Sequence, residues 1–121
     1  LCPLWNLLEA FARPDEQLVQ LVEAEDGSRW FTLARCAGRH GARVAEVRAR
    51  FAVALGLAAS EARMLAAARG WDLAGQAVPI GLGCRACTRP DCPQRSAPPA
   101  GRAIVVSERE TGLTPFGFAG D

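Results

Sequence analysis

Apolar and polar positions alternate most cleanly over 46–55, where Val47, Ala49, Phe51, Val53 and Leu55 fall on one side and Glu46, Arg48 and Arg50 on the other. A period of two over that length predicts a half-buried antiparallel strand whose apolar set faces a core. Two more strand-like runs, 17–24 and 28–36, flank Asp26-Gly27. Asp-Gly between apolar runs predicts a hairpin, because glycine accepts the positive φ of a tight turn. The opening Cys2-Pro3-Leu4-Trp5 predicts a short helix with Leu4, Leu8 and Phe11 on one face, ended by Pro14. A second, alanine-rich helix is expected over 60–69, capped by Ser60 and closed by Gly70. A final strand is expected over 102–107 around Val105 and Val106. The predicted fold is α+β: a small antiparallel sheet with flanking helices.

Residues 71–101 break these periodicities. They are rich in Gly, Pro and Cys, and a loop of that length in a compact domain is functional or tied down by something other than a core. The chain has 121 residues, enough for one domain spanning 1–121, and half of them are hydrophobic, which excludes a disordered tail. No apolar run is long enough to span a membrane, and there is no signal-peptide pattern. A net charge of +1 provides no field for gripping nucleic acid. All 14 basic residues are arginine, which excludes lysine-based phosphate loops and Schiff-base chemistry. The chain starts at Leu1 rather than methionine, as expected of part of a longer protein.

The chemistry concentrates in Cys84-Arg85-Ala86-Cys87-Thr88-Arg89-Pro90-Asp91-Cys92-Pro93. The Cys84–Cys87 spacing lets two sulfurs converge within one turn, and Cys92 returns to the same centre after four intervening residues. Cys2, also followed by proline, is the best fourth partner. A Cys-Pro after a spaced cysteine run, with one remote cysteine, favours a [4Fe–4S] cluster that pins the loop. Arg85, Arg89 and Arg95 lie in the loop to offset its negative charge. The same four cysteines also suit zinc, as do three of them with His40, and four unligated buried thiols are the plainest alternative. The odd cysteine count and missing secretion signal fit a reducing, cytoplasmic setting. Cys36 is in phase with Trp30, Thr32 and Ala34 and is expected to be a core residue.

Cys2-Pro3-Leu4-Trp5-Asn6 with Glu9-Ala10-Phe11, Gln17-Leu18 and Asp26-Gly27, together with Ile80-Gly81-Leu82-Gly83-Cys84-Arg85-Ala86-Cys87 and Cys92-Pro93-Gln94-Arg95, carry a resemblance over nearly the whole chain. They resemble the C-terminal domain of the XRE-type short-chain fatty acyl-CoA transcriptional regulators, which include propionate and glyoxylate regulators. The resemblance implies a DNA-binding helix-turn-helix domain that is absent here, a short-chain acyl-CoA effector, and a [4Fe–4S] cluster held by Cys2, Cys84, Cys87 and Cys92 beside an apolar pocket.

Several other residues invite a functional reading. Arg48 and Arg50 can grip a CoA phosphate bidentately, although a solvated strand face is the ordinary role of such charges. Trp5 and Phe51 can line an acyl pocket, although large apolar residues in a small domain serve the core first. His40 stands in a polar loop without a nucleophile nearby, and no paired carboxylates suggest acid–base work. No enzyme signature is present. The expected function is effector sensing for a transcriptional regulator; the alternative is a structural four-cysteine zinc module for dimerisation or protein contact.

Overall fold

The computed structural model describes residues 1–38, 49–109, 112, 114 and 116–120. Strands β1 (Leu18–Glu23) and β2 (Arg29–Ala37) form the expected hairpin, with Leu21 opposite Phe31 and Gly27 at φ +81° in the turn. Strand β3 (Phe51–Ala58) pairs antiparallel with the far edge of β2. The short β4 (Val78–Pro79) lies inside the stretch expected to be loop, and it pairs parallel with β1. The sheet order is β3-β2-β1-β4, so the sheet is mixed rather than antiparallel. A separate ribbon joins β5 (Ile104–Val105) to β6 (Gly117–Phe118), which reduces the expected strand over 102–107 to two residues.

Helix is scarcer than expected. The N-terminal segment is a run of turns with one 3-10 turn at Glu9–Phe11. The alanine-rich stretch makes only α1 (Ala59–Ala62) and a 3-10 turn at Ala66–Ala68, interrupted at Leu65, whose backbone is extended. Ser60 lies inside α1 and caps nothing; Ala58 occupies the N-cap. A ten-residue run is too short to hold a helix by propensity, so packing decides its shape. Here Ala62 and Ala68 are buried against Phe31, with Leu65 and Leu73 beside them. The Phe31 ring also meets Trp71 edge-on at 5.5 Å.

Successive strand residues point to opposite faces. The face carrying Ala34 and Leu18 packs against Ala10, Leu7 and Phe11, and Cys36 is buried there as expected. On β3, Ala52 and Ala54 turn to this face. Phe51, Val53 and Leu55, expected in the core, are 62%, 52% and 76% exposed. The alternation was sound, but the buried side is the small-residue side. The broken helix covers only the Phe31 end of the opposite face. Arg48, His40 and the first part of the expected strand over 46–55 lie outside the described residues.

Candidate metal centre and adjoining cleft

The late cysteine segment folds as a knuckle. Ala86 and Cys87 both donate their N–H groups to the Gly83 carbonyl, at 2.9 and 3.0 Å, which closes the turn carrying Cys84 and Cys87. Asp91 takes φ 51° as the chain reverses into Cys92. Arg89 anchors the knuckle to the end of β1, donating to the carbonyls of Ile80 (3.2 Å), Glu23 (3.0 Å) and Ala24 (2.8 Å). The Glu25 carboxylate accepts the Thr88 N–H at 3.0 Å.

Cys2 is brought to this knuckle by the N-terminal segment. Gln20 of β1 clamps that segment twice, donating to the Leu4 carbonyl and accepting the Asn6 N–H, both at 2.9 Å. The Trp5 indole N–H reaches Thr32 Oγ1 at 3.4 Å. Leu1 backbone atoms lie against Gly83, where an added Cβ would come within 3.1 Å of the Leu1 nitrogen. Cys2 and Cys87 are buried, while Cys84 and Cys92 are half-buried.

The environments of the sulfurs differ. Burial pushes the Cys84 thiol up, but hydrogen bonds from Ser96 (Oγ at 3.3 Å, N–H at 3.4 Å), the Ala97 N–H and the charge of Arg95 outweigh it, so its pKa falls below the usual thiol range. Cys87 is shifted the other way, first by burial and then by the charges of Glu25 and Cys2, against the Arg89 N–H and Arg95. The Leu1 backbone against Gly83 sets the segment that carries Cys2 beside the knuckle. Among the described residues, no three His, Cys, Asp or Glu side chains converge as ligands of one ion do. Hydrogen bonds to sulfur and a nearby cation are what a thiolate-held anionic centre requires, and Cys84 has both.

Beside the knuckle lies a cleft of about 560 Å³, within the ordinary range of small-molecule sites. Its floor is Val22, Trp30, Thr32, Ala54 and Gly56 of the sheet, and Trp5 and Ile80–Leu82 wall it. Glu25 and Asp26 also line it, and among the described residues no arginine does. Gly81 separates cleft from knuckle: a Cβ there would lie 2.7 Å from Cys87 Sγ. Of the residues expected to bind ligand, Trp5 lines the cleft. Phe51 and Arg50 do not; Arg50 donates to the Phe11 carbonyl at 3.4 Å and lies over the Phe11 ring. Gln20, Gly81 and Glu25 were missed, because their roles depend on contacts far apart in the chain.

Residues 1–116 match the family described as short-chain fatty acyl coenzyme A regulator, C-terminal. The chain belongs to this family. Within it, the chain is 40% identical over 119 residues to the HTH-type transcriptional regulator RamB of Mycobacterium tuberculosis, covering 95% of this chain and 25% of RamB. It is 40% identical over 115 residues to the propionyl-CoA carboxylase regulator of Cereibacter sphaeroides, with the same coverage. A solved structure, a Mycobacterium tuberculosis transcriptional regulator, superposes with a TM-score of 0.82 at 34% identity, covering 94% of this chain and 35% of that one. This regulator domain thus spans about a quarter of the length of those curated relatives. No helix among its described residues is long and apolar enough to cross a membrane.

Proposed function

We propose that this chain is the effector-sensing part of a cytoplasmic transcriptional regulator, holding a [4Fe–4S] cluster through Cys2, Cys84, Cys87 and Cys92 and receiving a short-chain acyl-CoA in the adjoining cleft. The observation that carries the reading is the shared wall: Gly81 lines the cleft and simultaneously abuts Cys87. A bound cluster would supply a redox-sensitive anionic cross-link between the N-terminal segment and the knuckle. The chain's own residues do the rest. Gln20 and Trp5 hold the segment bearing Cys2 on the sheet, Arg89 fixes the knuckle, and Ser96 donates to Cys84.

The cleft suits the acyl end of the ligand rather than its phosphates, because its wall is apolar and Glu25 and Asp26 also line it. An effector alters output only through unequal affinity for two states of the domain. Contact with DNA falls to a helix-turn-helix part such as the relatives' names record. The test is anaerobic purification followed by iron, sulfide and zinc analysis, with thermal shifts on adding propionyl-CoA or free CoA. Iron with equal sulfide and a larger shift with propionyl-CoA are expected. Colourless protein with stoichiometric zinc would favour the structural zinc module, and equal shifts would remove acyl recognition.

A further inference from the structure

Three arginines lie in the cysteine loop, and their surroundings separate them. Arg85 is exposed and donates to the Pro98 carbonyl at 3.5 Å. Arg89 has a carboxylate neighbour, Glu23 Oε1 at 3.7 Å. Arg95 is 3% exposed, and among the described residues no carboxylate pairs with it. Its guanidinium donates to the carbonyls of Cys87 and Ala97, each at 3.4 Å, and to that of Arg89. Carbonyls satisfy its N–H groups but leave its positive charge without a counter-charge among the described residues, and a buried unpaired charge is strongly destabilising. On its other side the guanidinium lies 4.5 Å from the centre of the Phe118 ring, itself buried on β6.

We propose that Arg95 is the fixed counter-charge of the cysteine centre and the positioning residue that ties the charge on that centre to the β5–β6 ribbon. The inference rests on the four-cysteine reading. An anionic centre beside Cys87 supplies the negative charge that no described carboxylate provides. The same cation, stacked on Phe118, holds the ribbon, where Ala119 donates to the Ala103 carbonyl at 2.9 Å and Arg102 to the Ala119 carbonyl at 2.8 Å. Loss of the centre leaves Arg95 uncompensated, so it moves toward water and loosens the ribbon. Because reducing a cluster by one electron adds negative charge, a nearby fixed cation raises its potential.

The experiment compares wild type, R95K and R95Q as full-length protein, reduced stepwise by dithionite under anaerobic conditions. Metal and sulfide content is measured first and tests the reading of the centre by itself. The expected order of potential is wild type close to R95K, with R95Q lower. Hydrogen exchange at Ala103–Val105 and Gly117–Ala119 should accelerate on metal removal in wild type and change less in R95Q. An R95Q potential equal to wild type, or an R95K potential as low as that of R95Q, overturns the counter-charge. Ribbon exchange indifferent to metal removal in wild type overturns the link. If R95Q does not hold a centre, R95K must still hold one at the wild-type potential, and its failure overturns the role of charge. If wild type holds zinc, the same comparison is read as metal release to a chelator. Faster release from R95Q than from R95K then supports the inference, and equal release overturns it. A wild type without any metal sinks both readings.

Discussion

Gly81→Ala puts a single methyl group where the cleft and the cysteine knuckle share a wall. The added Cβ would lie 2.7 Å from Cys87 Sγ, 2.8 Å from Cys87 Cβ and 3.2 Å from Glu25 Oε2. Non-bonded carbon atoms settle at about 3.5–4.0 Å, so the contact must open by roughly 1 Å. Cys87 cannot simply swing away, because it is buried and its N–H is held by the Gly83 carbonyl. Overpacking of this kind costs about 1–3 kcal/mol. That lowers the folding equilibrium roughly five- to 150-fold, at about 1.4 kcal/mol per factor of ten. The strain falls on Cys87 and one cleft wall, so under the proposed function metal retention and acyl-CoA affinity should decline together. Urea melts, metal content per chain and calorimetric titration with propionyl-CoA provide the readouts. Gly27→Ala is the control. Gly27 has φ +81° and nothing within 4 Å of an added Cβ, so its alanine strains only the backbone, at about 1 kcal/mol, and leaves the metal in place. Wild-type stability and metal content in Gly81→Ala would refute the shared wall.

Gln20→Met keeps the side-chain volume but removes both hydrogen bonds to the segment bearing Cys2. At about 0.5–1.5 kcal/mol per bond, it should cost about 1–3 kcal/mol and speed metal loss to a chelator although every cysteine remains. Cys36→Ser should leave metal content unchanged while lowering the melting temperature, because it buries a hydroxyl among Ala10, Leu18 and Ala34. Metal analysis and thermal melts of the purified variant decide that case, and metal loss would bring Cys36 into the centre.

The exposed β3 face bears on how such patterns are read. Alternation identified the two faces of Phe51–Ala58, but it carries no information about which face meets other elements. Size favours the larger residues as core, yet Ala52 and Ala54 pack on the N-terminal turns, and α1 is too short to cover Val53 and Leu55. The mixed sheet is invisible in the sequence for a similar reason. Two residues, Val78 and Pro79, suffice to add a parallel strand, and no periodicity is visible in so short a piece.

What the residues determine alone is local. The Asp26-Gly27 turn follows from glycine's access to positive φ, and the hairpin register follows from that turn. The turn that carries Cys84 and Cys87 follows from hydrogen bonds of Ala86 and Cys87 to Gly83, which close within a few residues without help from the rest of the chain. Tertiary structure decides everything that joins distant segments. The clamp of Gln20 on Leu4 and Asn6, the seating of Leu1 against Gly83, the cleft walled by Trp5 and Gly81, and the burial of Arg95 under Phe118 are examples. Each is a contact whose energy appears only once the sheet has brought its partners together, so no local pattern in the chain encodes it.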